Sequence, residues 1–226
     1  MTTARTAAQD APLVTRRGAA WGALAAALVV VGLAVLIVRA WAPLIDLDLR
    51  IDTAIHAWAL HSPWAVQASR VLETIGRFWF AVWFAVATAV ALLLAGRRRQ
   101  ALALVVVAAL APLITSLIKP VVGRARPVWE VPLGTAVTDS FPSGHATAGI
   151  AVYAACGVAI GSLLRSQTWG AVVALVAILL GVAIGVSRLV LGVHWPSDVL
   201  GGWCVALAVA GAAGALIVLP GPPPRR

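Results

Sequence analysis

Six long apolar runs, separated by short polar connections, make up most of the chain. They are rich in Ala, Val and Leu, carry no charge near their centres, and cover residues 18–38, 78–95, 101–118, 145–164, 169–186 and 199–219. A helix needs about 20 mostly apolar residues to cross the hydrocarbon core of a bilayer, and a backbone in lipid must satisfy its own hydrogen bonds. The pattern therefore predicts an all-α, polytopic membrane protein with six transmembrane helices. They form one domain over residues 18–219, between short tails at 1–17 and 220–226.

The connection between the first two runs, residues 41–77, has a different pattern. Its apolar positions recur at near-helical spacing: Ile51, Ile55, Trp58 and Ala59, then Val66, Leu72 and Ile75. This spacing predicts one or two amphipathic helices, which we expect to lie on the outer membrane surface as anchors. His56 and His61 belong to no motif in this connection, so we expect both to be surface residues.

The composition agrees with a membrane protein and excludes other classes. Hydrophobic residues make up 62% of the chain and charged residues 11%, whereas soluble domains have roughly half and a quarter. Soluble enzymes and disordered chains are excluded, because a soluble globule of this size cannot bury so much apolar surface. The net charge of +9 does not indicate nucleic-acid binding, because the basic residues lie between apolar runs, as topology signals do. Cys156 and Cys204 lie inside apolar runs, which favours small buried hydrophobes over a disulfide or a metal site.

The charges also predict an orientation. With six spans, both termini share a side with the second and fourth loops. That side carries nine basic residues: Arg5, Arg16, Arg17, Arg97, Arg98, Arg99, Arg165, Arg225 and Arg226. It holds the tightest basic cluster, so the positive-inside rule places it in the cytoplasm. Seven of the eight acidic residues lie on the opposite, extracytoplasmic side. The sequence therefore predicts a multi-pass protein of the cell membrane with both termini in the cytoplasm.

The remaining polar residues form three groups, all on the outer side in this topology. The first follows the third run at 119–127, the second opens the fourth run at 141–145, and the third joins the last two runs at 187–198. Polar residues gathered at one face of a membrane protein mark a functional site by default.

Five of these residues suit a bound phosphate. Lys119, Arg126 and Arg188 supply positive charge, the arginines as planar forks that match phosphate oxygens and the lysine as a mobile point charge. Ser143 and Gly144 precede a predicted helix start, where free backbone N–H groups and the helix dipole favour an anion.

Two histidines and one carboxylate supply reactive groups. His194 and Asp198 are four residues apart at another predicted helix start, so one turn can place them on the same face. A carboxylate in that position can hold a neutral imidazole in one tautomer and stabilise its later positive charge. His145 is then free to act as an acid.

The three groups together resemble the signature of the type 2 phosphatidic acid phosphatase superfamily. That signature is K-x6-R-P, then P-S-G-H, then S-R-x5-H-x3-D, and this chain matches it without a substitution between Lys119 and Asp198. The six-span plan extends the resemblance over nearly the whole chain. The Arg-rich, Lys-poor composition is that of a high-GC bacterium, so the chain resembles a bacterial integral membrane member.

The resemblance implies a metal-independent phosphatase that works through a phosphohistidine and needs no cofactor. By position, His194 is the nucleophile, Asp198 orients it, and His145 is the general acid that protonates the leaving oxygen. The implied phosphate ligands are Lys119, Arg126, Ser143, Gly144 and Arg188. Arg124 lies outside the named signature positions, and both a juxtamembrane anchor and a site residue remain open for it. Lys119 is the only lysine of the chain.

The predicted function is a membrane-embedded lipid phosphate phosphatase acting at the outer leaflet. Phosphatidic acid, phosphatidylglycerol phosphate and prenyl diphosphates, including undecaprenyl diphosphate, are candidate substrates. The expected partners are the lipid substrate and membrane lipids, not nucleic acid, and the oligomeric state stays open. Two alternatives remain, a phosphotransferase that moves phosphate between lipids and a non-catalytic lipid transporter on the same fold.

Overall fold

The computed structural model describes residues 15–218. Over these residues the chain is helical, with no strand. The α-helices are α1 (Arg16–Val38), α2 (Ala42–Leu60), α3 (Pro63–Ile75), α4 (Phe78–Leu94), α5 (Arg98–Val122), α6 (Gly144–Ala148), α7 (Ala155–Gly161), α8 (Gln167–Val190) and α9 (Pro196–Ala213). A π-helical segment, Gly149–Ala154, joins α6 to α7, and another, Gly214–Val218, continues α9.

Five segments are long and apolar enough to cross a membrane, and a bent pair brings the total to as many as six. The five are Arg16–Val38, Arg98–Val122, Gly144–Gly161, Gln167–Val190 and Pro196–Ile217. The bent pair is α3 with α4, whose axes differ by 56°. The predicted all-α membrane fold is therefore confirmed. Most of residues 1–17 and all of the tail at 220–226 lie outside the described residues.

Three helices, α1, α5 and α8, extend beyond their apolar runs, because a helix ends where its backbone is capped. At the N-terminus of α1, the Gly18 N–H donates to Thr15 Oγ1 at 3.1 Å. At the far end of α5, Gly123 adopts a left-handed conformation with φ 58°. Glycine reaches this region without strain, and it commonly ends a helix. Gly123 thus stops α5 directly before Arg124.

Glycines bring the span that begins at α6 against α8. Gly149 faces Gly181, and Gly161 faces Gly170, so closely that a Cβ on any of the four would overlap the opposite backbone. Small residues let helix backbones approach within a membrane, where packing rather than the hydrophobic effect holds helices together. These contacts fix α8 against the span that carries His145.

The sharp bend between α3 and α4 lies at Gly76, which is buried between two other helices. A Cβ here would lie 2.7 Å from Ile184 Cγ2 on α8 and 2.9 Å from His145 Cδ2 on α6. Only a residue without a side chain fits. The C-terminal end of α3 is therefore packed directly beside His145.

The connection between the first two runs forms two helices, as predicted. Large apolar side chains are exposed along α2, at Leu47, Leu49, Ile51, Trp58 and Leu60. The opposite, buried face of α2 is polar and carries Asp48, Asp52 and His56. The prediction that His56 is a surface residue was wrong, because its ring stacks on Trp129 with a centroid distance of 4.1 Å. His61 is exposed, as predicted.

Candidate active site

His194 and Asp198 meet at the junction of α8 and α9. His194 Nδ1 lies 3.4 Å from Asp198 Oδ2, and both side chains are buried. The same oxygen accepts a hydrogen bond from the Trp195 backbone N–H at 2.9 Å and a short one from the Ser140 hydroxyl. Because Asp198 lies in the first turn of α9, its carboxylate also caps that helix by accepting the backbone N–H at the helix start. The carboxylate is thereby held in one position beside the imidazole.

Arg126 contacts the other nitrogen of the His194 ring. Arg126 Nη1 lies 3.0 Å from His194 Nε2. A guanidinium can only donate, so Nε2 must carry a lone pair and the ring proton belongs on Nδ1, toward Asp198. Burial lowers the pKa of His194 to about 4 against the opposing effect of Asp198, and the charges of Arg126 and Arg188 lower it further. The ring is therefore neutral at pH 7, with its free lone pair on Nε2.

Lys119 and Arg126 converge on the segment that precedes Phe141. Arg126 Nε donates to the Thr138 carbonyl at 2.6 Å, and Nη1 donates to the Val193 carbonyl at 2.5 Å. The Asp139 carbonyl accepts from Arg126 Nη2 at 3.3 Å and makes a short hydrogen bond with Lys119 Nζ. The two cations thus share one carbonyl at the edge of the site, close to His194.

Ser143, Gly144 and His145 lie at the start of α6. Ser143 is fully buried, and its hydroxyl accepts from the Ala146 N–H at 3.4 Å, so it acts as the helix cap. Gly144 begins the helix, as the sequence predicts. His145 Nε2 is buried and has no hydrogen-bond partner within residues 15–218. A ring nitrogen without a partner beside a cavity is available to a bound molecule.

Arg188 reaches the site from the last turn of α8. It is buried, and Nη1 lies 2.8 Å from Glu73 Oε1 on α3. Its Nε has no hydrogen-bond partner in the described part of the chain. A buried cation needs an opposite charge, and Glu73 supplies it. Sequence reasoning did not connect Glu73 with the site.

Arg124 is the residue for which the sequence left open both a role as a juxtamembrane anchor and a role in the site. It is buried, and its guanidinium contacts Asp198 Oδ1 and Asp48 Oδ2, each at 2.6 Å. Sequence reasoning missed Asp48 altogether. The available signal was the polar face of α2, since Asp48, Asp52 and His56 are spaced four residues apart.

A cavity of about 240 Å³ adjoins the site between α4, α5 and α6. Its polar lining residues are Thr115, Ser116, Lys119 and His145. The other lining residues are apolar or glycine: Gly76, Phe78, Ala81, Val82, Ala108, Pro112, Gly144, Ala148 and Val152. The cavity therefore combines the Lys119 cation and the His145 ring with a largely apolar lining.

Across residues 15–218, no cluster of three or more His, Cys, Asp or Glu side chains could hold a metal ion. The charge at the site comes from Lys119, Arg126 and Arg188. These groups can stabilise a phosphoryl group by the electrostatic effect that metal ions provide in other enzymes.

Known proteins are similar to this chain in both sequence and fold. A sequence model of the PAP2 superfamily matches residues 100–218. A decaprenylphosphoryl-5-phosphoribose phosphatase of Mycolicibacterium smegmatis is 37% identical over 152 residues, which cover 66% of this chain and 77% of that protein. The protein of the same name from Mycobacterium tuberculosis H37Rv is 30% identical over 173 residues, 75% of this chain and 88% of that one.

A solved structure shows the same fold. The crystal structure of a transmembrane PAP2-type phosphatidylglycerolphosphate phosphatase from Bacillus subtilis matches with a TM-score of 0.76 at 24% identity. The match covers 85% of this chain and 94% of that one. Enzymes of this group need no metal. The chain therefore belongs to the PAP2 superfamily, and it is a membrane lipid phosphatase.

Proposed function

We propose that this phosphatase acts through a phosphohistidine on His194, at the extracytoplasmic face of the membrane. The supporting observation is the state of the His194 ring, with Nδ1 toward Asp198 and Nε2 facing Arg126. The unprotonated nitrogen thus lies among the cations that the family resemblance assigns to phosphate. A buried neutral imidazole oriented by a carboxylate has the properties of an activated nucleophile.

The reaction follows from these positions in two steps. His194 Nε2 attacks phosphorus, the bond from phosphorus to the lipid oxygen breaks, and His145 gives its proton to the departing oxygen. Water then attacks the phosphohistidine and gives a proton to His145, and the N–P bond breaks to release inorganic phosphate. Asp198 stabilises the positive charge on the His194 ring in both steps. Lys119, Arg126, Arg188 and the backbone at Ser143 and Gly144 hold the phosphoryl oxygens, because this chemistry depends mainly on positioning and charge.

The cavity beside His145 supports an amphiphilic substrate. Lys119 and His145 in its lining suit a phosphate, and its apolar lining residues suit the first part of a lipid tail. Because the relatives are named for decaprenylphosphoryl-5-phosphoribose, we infer that a polyprenyl-phosphoryl pentose 5-phosphate is the first substrate to test. Phosphatidic acid, phosphatidylglycerol phosphate and undecaprenyl diphosphate complete the panel.

The proposal that the site lies on the extracytoplasmic side rests on the distribution of basic residues. Arg97 lies in the loop between α4 and α5, and Arg98 and Arg99 begin α5, at the opposite ends of these helices from Lys119 and Gly76. The positive-inside rule places that loop in the cytoplasm. In this orientation the site residues face the extracytoplasmic side. Both termini lie in the cytoplasm, with the domain at 18–219 between them.

The decisive experiment measures phosphate release by purified protein from this panel, with His194→Ala as the test variant. His61→Ala is the matched control, since His61 is an exposed histidine outside the site. We expect His61→Ala to match the wild type, and we expect His194→Ala to release no phosphate and to trap no alkali-stable labelled phosphoenzyme. Wild-type turnover by His194→Ala would rule out the phosphohistidine. With a lipid alcohol present, label that moves to lipid instead of inorganic phosphate would indicate the phosphotransferase alternative.

A further inference from the structure

A buried ion-pair network lies behind Asp198, on the side away from His194. Arg124 Nη1 donates to Asp198 Oδ1 at 2.6 Å, and Nη2 donates to Asp48 Oδ2 at 2.6 Å. Arg124 Nη1 also donates to Ser197 Oγ at 2.7 Å. Three segments distant in the sequence meet here: α2, the segment that follows α5, and the start of α9.

Ser197 completes the connection between α2 and α9. Its hydroxyl donates to Asp48 Oδ2 at 2.5 Å, and its backbone N–H donates to Asp48 Oδ1 at 2.9 Å. Both oxygens of Asp48 are therefore occupied. Removing one partner of a buried ion pair leaves an uncompensated buried charge and is strongly destabilising, so each member of the network depends on the others.

This network determines which carboxylate oxygen of Asp198 is available to His194. Arg124 occupies Oδ1, and Oδ2 remains for Ser140, the Trp195 N–H and His194. Were Arg124 not held by Asp48, its guanidinium could rotate or draw Asp198 away from the imidazole. The position of the carboxylate thus depends on a residue of α2, which belongs to none of the three polar groups.

We propose that Asp48 and Arg124 act as one positioning unit that holds Asp198 against the nucleophile. The proposal rests on the proposed function, in which His194 attacks phosphorus and Asp198 orients it. Neither Asp48 nor Arg124 touches the reacting atoms. Each acts through Asp198, as outer partners do when they orient a ligand or a catalytic side chain. A purely structural role, in which the network only docks α2 onto α9, is the alternative.

The test compares Asp48→Asn with Asp46→Asn. Asp46 lies on the same helix but is exposed, so it is a matched control. We expect Asp48→Asn to lower kcat by about 10- to 100-fold, the usual effect of losing an outer partner, with little change in KM. Asp46→Asn should match the wild type. A structural role would reduce the yield or thermal stability of folded protein without this split between kcat and KM.

A pH profile supplies a readout that docking alone would not change. The charges that act on the pKa of His194 are those of Asp198 on α9, Arg126 after α5 and Arg188 on α8. Lys119, Arg124, Asp48 and Asp52 lie around Asp198. Asp198 raises the pKa of His194, so a variant that lets Asp198 move away from the imidazole should lower that pKa and move the acid limb of kcat/KM to lower pH. We expect this downward shift in both Arg124→Gln and Asp48→Asn, although the two substitutions remove charges of opposite sign.

The double variant tests whether the two residues act as a unit. If they do, Asp48→Asn combined with Arg124→Gln should lose less activity than the product of the two single losses. Should Arg124→Gln fail to fold, Ser197→Ala offers a milder break of the same network, with a smaller loss of kcat at unchanged KM.

The outcomes separate this proposal from the proposed function. If His194→Ala is inactive but Asp48→Asn behaves like Asp46→Asn in kcat, the positioning unit is wrong and the phosphohistidine stands. If losses multiply independently and the acid limbs of Arg124→Gln and Asp48→Asn do not both move to lower pH, the network is structural only. If His194→Ala retains wild-type turnover, both proposals fall.

Discussion

Arg126 Nη1 lies 3.0 Å from His194 Nε2, the nitrogen proposed to attack phosphorus. When substrate binds, the guanidinium must break its hydrogen bond to Nε2. The phosphoryl oxygens are suitable acceptors for the same N–H groups. A protonated ring would instead face a second cation at hydrogen-bond distance. The contact thus favours an unprotonated Nε2 on the proposed nucleophile and places that nitrogen beside a proposed phosphate ligand.

The acid limb of kcat/KM should therefore lie near pH 4, well below the ordinary histidine value of 6.5, because burial lowers the pKa of His194 to about 4. The profile is measured with two substrates whose phosphates ionise at different pH. A limb common to both belongs to the enzyme. A shared limb near pH 6.5 would contradict the assignment of a buried neutral His194.

The two histidines should respond differently to the leaving group. His145 is expected only to protonate the departing oxygen, and a lipid alkoxide needs that proton whereas p-nitrophenolate leaves without it. His145→Ala should therefore reduce kcat for phosphatidic acid far more than kcat for p-nitrophenyl phosphate, and His194→Ala should fail on both. Both substrates are compared in the same detergent. Equal losses for His145→Ala would mean that His145 mainly binds phosphate.

Lys119→Arg should lower kcat/KM substantially although the charge is kept. Lys119 Nζ shares the Asp139 carbonyl with Arg126 and lines the cavity with His145. A planar guanidinium is larger than an ammonium and cannot occupy its place without displacing the phosphate. Arg50→Lys, at an exposed position on α2, is the reverse exchange and serves as the control. An unchanged rate for Lys119→Arg would show that Lys119 is only an anchor.

Asp52 should make the protein less stable as the pH rises. Burial raises its pKa from 3.8 to about 7, with further increases from Asp198 and Asp48 and an opposing effect of Arg124. The folded protein then keeps a proton that the unfolded chain releases above about pH 4, so stability falls between pH 4 and 7 and is level above that. Asp52→Asn removes this dependence. Its advantage in apparent Tm over the wild type should grow across the same range.

The control for that prediction is Asp46→Asn, an exposed carboxylate on the same helix. It should track the wild type at every pH in the same detergent. A constant difference between Asp52→Asn and the wild type from pH 4 to 8 would show that Asp52 is ionised throughout.

The sequence predicted most of the fold because apolar length is a local property. The end of α5 shows the limit of that signal, since the helix continues to Val122 and stops only at the left-handed Gly123. Hydropathy does not report where a backbone is capped. The bend between α3 and α4 was likewise invisible, since it depends on the space left at Gly76 by Ile184 and His145.

Contacts in the candidate site were predicted where the spacing is local, and they were missed where it is not. His194 and Asp198 are one helical turn apart, so their contact could be expected. Asp48 reaches Arg124 across 76 positions of sequence, and no local pattern shows which face of α2 meets the protein. The apolar spacing of that helix indicated only that it is amphipathic. Its polar face proved to be the buried one.

The orientation of the chain is tested with single cysteines. In a background without Cys156 and Cys204, cysteine replaces either Arg98 or Glu130, which are both exposed. An impermeant thiol reagent added to intact cells should label position 130 and spare position 98, because the arginine cluster is the strongest retention signal. The reverse pattern would place the site in the cytoplasm and would leave the chemistry of His194 untouched.

The contact between Gly149 and Gly181 has a consequence for the rate of reaction. His145 stands about one turn from Gly149, and Arg188 stands about two turns from Gly181, so this backbone contact helps to set the distance between the proposed proton donor and a proposed phosphate ligand. A methyl group at either glycine would separate the two helices by on the order of 1 Å, and a misplacement of that size can cost about a hundredfold in rate. The alignment of the proposed catalytic groups therefore depends on a contact between membrane-spanning helices. A residue that does not touch the substrate can change the rate at which the substrate is hydrolysed.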